Sequence, residues 1–196
     1  MAALDDALVL LRTSFERLVP LPDAVWEDLR AAWHLRAVRR GKVLTREGQT
    51  EQMFGLVVEG VQRMYFLTPD GDEVTVAFAY PPSYTGVPDS FFLQIPSAYA
   101  LEALTDGQIL ATDHAALATL MDRHRELDRW ALRLLARAGA GRAKREREML
   151  TMSAEARYQR LLRESPQLLQ FAALRHIASY LGMSPETLSR VRAERS

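Results

Sequence analysis

Between Val38 and Thr112, short runs of alternating apolar and polar residues are cut at near-regular intervals by glycine, and few folds accommodate such a pattern. The runs are Lys42–Thr45, Met53–Val58, Gln62–Leu67 and Glu73–Phe78, with Gly41, Gly48, Gly60 and Gly71 between them. Strands of roughly four to eight residues separated by glycine turns predict an antiparallel β-roll or jelly roll. Pro69-Asp70-Gly71 adds a hairpin signal, because proline presets φ at the first turn position and glycine reaches positive φ without a Cβ clash. Gln108–Ala111 is expected to supply a closing strand.

Helical periodicity flanks this region. Leu, Val, Phe and Trp recur at spacings of three and four from Asp5 to Arg36, with a break at Pro20 and Pro22. The helical period returns at His114, and a long helix is expected after Arg125. Its stripe of Leu127, Trp130, Ala131, Leu134, Leu135 and Ala138 is longer than one small domain needs to cover. Such a stripe predicts a seam with a second copy of the chain. Gly139 and Gly141 within it leave two readings open, a close approach of two backbones or a kink.

The last segment, ALRHIASYLGMSPETLSRVRAERS from Ala173, has the spacing of two short helices joined by a tight turn. Leu174, Ile177, Ala178 and Leu181 line one face, and Gly182 breaks the helix where φ turns positive. Ser184 is placed to cap the next helix and Pro185 to occupy its first turn, where a missing N–H costs nothing. Leu188 and Val191 pack that helix inward, so Ser184, Glu186, Thr187, Ser189, Arg190 and Arg192 are left on its outer side. Side chains of these types reach base edges and phosphates, which predicts duplex DNA as a partner.

Charge agrees with that placement. The whole chain has 25 basic and 25 acidic residues, yet from Arg142 onward there are ten arginines and one lysine against six glutamates, a net of +5. A neutral protein with one basic end suits a surface that meets a polyanion locally. The chain has no cysteine, which removes disulfides, iron–sulfur clusters and thiolate zinc sites together. No apolar run approaches the roughly 20 residues that cross a bilayer, and the N-terminus lacks a signal-peptide pattern, so no membrane association and a cytoplasmic location are expected. No nucleophile elbow, phosphate-cradling loop or Ser/His pair is present, and no enzymatic activity is expected. The strand region holds no histidine, which disfavours a metal-dependent barrel enzyme. His34, His114, His124 and His176 each stand alone and are read as structural, with haem ligation left open; no cofactor and no metal is assigned.

The order of a glycine-punctuated β-roll, a long interface helix and two terminal helices resembles the Crp/Fnr family of bacterial transcription regulators. The resemblance rests on RRGKVLTREGQ (Arg39–Gln49), MFGLVVEGVQRMYFLTPDGDEV (Met53–Val74) and SPETLSR (Ser184–Arg190), and it spans nearly the whole chain. It implies an α+β fold in three parts: a cyclic nucleotide-binding-like β-roll sensor over residues 1–125, a dimerisation helix over 126–150, and an all-α helix-turn-helix DNA-binding domain over 151–196. Glu186 and Arg190 stand where the family reads base edges. Implied partners are double-stranded DNA, a second copy of the chain, RNA polymerase and a small-molecule effector.

Two departures qualify the resemblance. The family's phosphate-binding cassette has a glycine-glutamate pair followed by an arginine-serine-alanine run. Here Gly86 is followed by Val87, and Ser97, Ala98 and Tyr99 stand where the second run is expected. Without the arginine a buried phosphate loses its full counter-charge, so an effector other than cyclic AMP is expected. With Tyr84, these five residues mark the expected effector pocket, although the nearby aromatics Tyr80, Phe91 and Phe92 could equally fill a core that has lost its ligand. The sequence also runs only six residues past Arg190, so the β-hairpin wing that follows the recognition helix in the family is expected to be truncated. The competing reading is a sensor or interaction module whose helix-turn-helix is vestigial.

Overall fold

The computed structural model describes residues 2–193. Two N-terminal helices, α1 (Ala2–Glu16) and α2 (Asp23–Ala31), precede eight strands: β1 (His34–Val38), β2 (Val43–Thr45), β3 (Met53–Glu59), β4 (Gln62–Leu67), β5 (Glu73–Ala79), β6 (Tyr84–Thr85), β7 (Ala100–Ala103) and β8 (Gly107–Asp113). A short helix, α3 (Pro88–Leu93), lies between β6 and β7. The strands form two antiparallel four-stranded sheets, in the orders β1-β8-β3-β6 and β2-β7-β4-β5. This is the expected α+β architecture with an N-terminal β-sandwich. One boundary moves. His34–Arg36, expected to end the N-terminal helical stretch, belong instead to the edge strand β1, in register with β8, Leu35 opposite Leu110. A nonlocal ladder overrides local periodicity there.

The C-terminal part is helical: α4 (His114–Arg123), α5 (Arg125–Thr151), α6 (Ala154–Glu164), α7 (Leu168–Phe171), α8 (Leu174–Tyr180) and α9 (Pro185–Ala193). Asp113 caps α4, its carboxylate accepting from the Ala116 amide at 2.8 Å, and Ser153 caps α6 through Ala156 at 3.2 Å. Helix α5 runs through Gly139 and Gly141 without a break.

Two large apolar clusters organise the described residues, beside a small one of Val38, Ala103, Ile109 and Ala111. The larger joins α1, α2, α4 and the start of α5 to the β1-β8-β3-β6 sheet, with Leu11, Phe15, Leu29, Phe54, Leu56, Leu110, Leu117, Leu127 and Trp130 fully buried. Phe15 stacks on Trp130 at 4.2 Å, and Phe54, Tyr84 and Phe92 close around them. The aromatic segment thus largely fills the core. The second cluster gathers Tyr158, Leu161, Leu168, Ile177, Ala178, Leu188 and Val191 from α6–α9 against Val61, Phe78 and Tyr80 of the β-roll.

These clusters correct the expected seam. Leu134 packs half-buried against the subunit's own core, Ala138 is exposed at the edge of a cavity of its own subunit, and Leu127, Trp130 and Ala131 are inside the subunit. A side chain already enclosed has no surface to offer a partner. On the opposite side of α5, about 160° round the helix at 100° per residue, Leu132, Ala136, Gly139, Ala143 and Leu150 are exposed, with Leu132 at 69% and Leu150 at 80%. Leu135, at 37%, lies between the two faces.

Candidate nucleic-acid interface and sensor cavity

Helix α8 ends in a turn that only a residue of positive φ completes. Gly182 has φ +63°, its N–H donates to Ser179 O at 3.0 Å, and the Met183 N–H reaches back to Ala178 O at 3.0 Å. This pair of bonds satisfies the last carbonyls of α8 and turns the chain sharply into α9. Ser184 then caps α9 as expected, its Oγ accepting from the Thr187 amide at 3.2 Å. Ala178 is fully buried where α8 and α9 pack together, and Leu188 and Val191 are the buried side of α9.

The six expected contact residues share the other side. Ser184, Glu186, Ser189, Arg190 and Arg192 are exposed and Thr187 is half-buried. Arg190 and Arg192 are exposed, and neither enters an ion pair among the described residues. Hydrogen bonds from Ser184 and from its own backbone hold the Glu186 carboxyl below the ordinary range, so it is an ionised acceptor at neutral pH. A convex helical face thus carries one carboxylate, three hydroxyls and two cations that form no ion pair among the described residues.

The cassette region is built differently from a phosphate cradle. Gly86 has φ +120°, and a Cβ there would lie 3.1 Å from Met53 O, so the strand-to-helix corner admits only glycine comfortably. Val87 is fully buried, and its amide donates to Glu51 Oε2 at 3.2 Å. Ser97 is buried too; its hydroxyl donates to Tyr99 O at 2.7 Å and accepts from the Tyr99 amide at 3.0 Å. Ala98 is exposed. A cavity of about 340 Å³ does lie between the β2-β7-β4-β5 sheet and α5, yet of the six expected pocket residues only Tyr84 and Gly86 line it. Val87, Ser97, Ala98 and Tyr99 are not brought to it; turn geometry spends their polar groups locally. Tyr84 donates nothing negative: burial raises its phenol pKa, and its oxygen accepts from Trp130 Nε1 at 3.1 Å.

The charged groups that reach the cavity come from α5 and α6, and nothing in the cassette motif points to them. Arg142, Arg145, Glu148 and Arg160 line it. Arg160 pairs with Glu148 and, at 2.8 Å, with Glu164. Arg145 has no carboxylate partner among the described ion pairs; it donates to Tyr180 O at 2.8 Å and Val76 O at 3.3 Å. Burial lowers its pKa, with Arg157 and Arg160 adding to the effect against Tyr180. The basic bias after Arg142 is the one sequence signal that points to this place. Among the described residues no group of His, Cys, Asp or Glu could hold a metal ion, and no helix is long and apolar enough to cross a membrane.

Comparison with known proteins gives this arrangement its relatives. Residues 35–124 match the cyclic nucleotide-binding domain family. No curated protein matches the sequence. Among solved structures, FixK2 from Bradyrhizobium japonicum is similar at 21% identity with a TM-score of 0.69, over 83% of each chain. The catabolite activator protein of Thermus thermophilus shares 25% identity with a TM-score of 0.57, over 90% of this chain and 84% of its own. A regulator of the Crp/Fnr family from Eubacterium rectale shares 16% identity with a TM-score of 0.70, over 89% of this chain and 83% of its own. Residues 35–124 are therefore a cyclic nucleotide-binding domain, carried in a chain with the fold of the Crp/Fnr family of transcription regulators.

Proposed function

We propose that this protein is a DNA-binding transcription regulator, not an enzyme, that works as a cytoplasmic homodimer. Residues 1–125 are its sensor, 126–150 its dimerisation helix and 151–196 its helix-turn-helix domain. The observation that carries the reading is the outer side of α9: capped by Ser184, held at a fixed angle by the Gly182 turn, and keeping Glu186, Thr187, Ser189, Arg190 and Arg192 unburied. A vestigial helix would have no reason to keep two arginines exposed on one convex face. Arg190 is assigned to a guanine edge and Glu186 to a cytosine amino group, with Arg192 on phosphate.

The dimer is assigned to the outward stripe of α5, Leu132, Ala136, Gly139, Ala143 and Leu150, whose alternating spacing of four and three suits a two-helix seam once Glu146 completes it. Twofold symmetry then sets half-sites about 34–36 Å apart on the duplex. The effector is assigned to the cavity beside α5 and is neither cyclic AMP nor cyclic GMP, because Val87 and Ser97 supply no grip on a cyclic phosphate.

Selection from a random duplex pool tests the reading. An enriched palindrome is expected. Arg190→Ala should weaken its binding by about 1–3 kcal/mol and relax preference at one position per half-site. Arg192→Ala should weaken all sequences alike and flatten the salt dependence. A pool with no enriched motif would transfer the protein to the vestigial-domain alternative.

A further inference from the structure

Arg63 is 3% exposed and sits at the junction of the β-roll with α8. Its Nε and Nη2 donate to one oxygen of Glu102 at 2.9 and 2.7 Å, and Nη2 also donates to Glu73 at 2.6 Å. The remaining nitrogen, Nη1, lies 3.0 Å from Nδ1 of His176 on α8. A guanidinium has donors only, so the imidazole nitrogen must accept. His176 is therefore neutral, with its proton on Nε2. Beside this bond, the Thr75 amide donates to Ser179 Oγ at 2.9 Å, and that hydroxyl donates to Glu73 O at 3.1 Å. Strand β5 is the outer strand of its sheet, so the side chain of Ser179 stands in for a neighbouring strand. Helix α8 is thus fastened to the sensor at two adjacent points.

We propose that Arg63 and His176 form a proton-sensitive latch that holds α8, and with it α9, against the β-roll and releases them when His176 takes up a proton. A proton on Nδ1 turns the acceptor into a donor and sets a second cation at hydrogen-bond distance from Arg63. Glu73 and Glu102 attract an imidazolium, but both already accept from Arg63, and Arg175 on α8 adds positive charge. Tyr65 lies under the guanidinium at 4.1 Å, and burial keeps its phenol neutral. Helix α7 carries no titratable residue, and α9 turns Leu188 and Val191 inward while Glu186, Arg190 and Arg192 stay exposed. Burial first, and Arg63 second, hold the His176 pKa below the ordinary value of 6.5. The latch is therefore closed at neutral pH and opens on acidification. It does not depend on the assignment of α9 to DNA; only its effect on DNA affinity rests on that reading.

Hydrogen exchange of the Thr75 amide in the full chain reads the latch directly. Between about pH 7.5 and about pH 5, its protection factor should fall at least about tenfold, while the Leu110 amide in the β-roll core stays protected. His176→Gln, whose side-chain oxygen accepts from Arg63 without titrating, should keep Thr75 protected throughout. Unchanged protection in the native chain, equal loss in His176→Gln, or loss together with Leu110 would each overturn the proposal. Should His176→Gln not fold, nitrogen-15 shifts of the native ring decide: an Nε2–H tautomer titrating below the ordinary histidine value is expected, and an Nδ1–H tautomer or an ordinary midpoint overturns the latch. Loss of Thr75 protection in a chain that binds no duplex at either pH would uphold the latch and strike only the DNA reading.

Discussion

The two sides of α5 present the same kind of sequence to opposite environments. Near its start Leu127, Trp130 and Ala131 face the β-roll and are enclosed by it; on the far side Leu132 and Leu150 stand open to solvent. Adjacent residues, Ala131 and Leu132, therefore differ completely in what removal would do. The inner side is part of the subunit's own core, stacked on Phe15 and bounded by Phe54 and Tyr84. The outer stripe has no partner within the subunit, and its small residues Ala136, Gly139 and Ala143 leave a shallow channel rather than a ridge. An apolar stripe on a helix identifies a face that avoids water; which body supplies the cover is decided by the rest of the fold.

The strongest attempt to break this contrast is Trp130→Ala. Truncating a fully buried tryptophan at the centre of an aromatic cluster should cost about 3–5 kcal/mol of folding stability, through lost transfer energy and the cavity left behind. Urea unfolding of both chains at one fixed protein concentration should show it. A loss under about 1 kcal/mol would mean that the inner side is not the core and that the two faces have been exchanged.

Local signals make much of the fold legible in the sequence, and the parts that are not legible have a common cause. Gly60, Gly71 and the alternation around them place β3, β4 and β5 within a residue or two, because hairpins are local. Strand β1 and the two-residue β6 carry no such signal: each exists by pairing with residues distant in sequence, β1 with β8 and β6 with β3. The stripe of α5 is legible as a stripe, but periodicity cannot say which side meets the β-roll. The same limit governs the sites. The α9 face follows from a serine cap, a proline in the first turn and a glycine, all within a dozen residues. Arg63 and His176 lie 113 positions apart, and nothing in either neighbourhood announces the other. Val87 and Ser97 show in the sequence that the cassette's carboxylate and guanidinium are replaced, yet only folding reveals that α5 brings Arg142 and Arg145 to the cavity.

A smaller effect should follow on the other side of the helix. Leu132→Asp leaves the subunit core intact, so the monomer should stay folded. It removes a leucine from the seam assigned to the dimer, worth about 1.5–3 kcal/mol if fully covered there, and adds two like charges across the axis. Sedimentation should show the dimer dissociating at concentrations at least about tenfold higher than for the native chain. Leu134→Asp makes the comparison sharper: it lies against the core cluster, so it should lower unfolding stability before it affects association. A chain in which Leu134→Asp gives folded monomers and Leu132→Asp does nothing would return the seam to the inner stripe.

The finest probe uses the two glycines, which share a helix and a conformation but face opposite ways. Neither has positive φ, and a Cβ built on either meets nothing within 4 Å inside the subunit. Each alanine substitution should therefore add about 0.5–1 kcal/mol of helix stability, by reducing the backbone freedom lost on folding. Gly141 lines the cavity of its own subunit, so Gly141→Ala should deliver that gain with the association constant unchanged. Gly139 lies on the outward stripe between Ala136 and Ala143, where a close helix approach needs small residues. Gly139→Leu should keep the local helical gain yet weaken the dimer, since a bulky side chain forces the two backbones apart. Unfolding and sedimentation measured on the same pair of variants separate the two contributions. Equal behaviour of Gly139→Leu and Gly141→Leu in sedimentation would show that the outward stripe is solvated in the dimer as well.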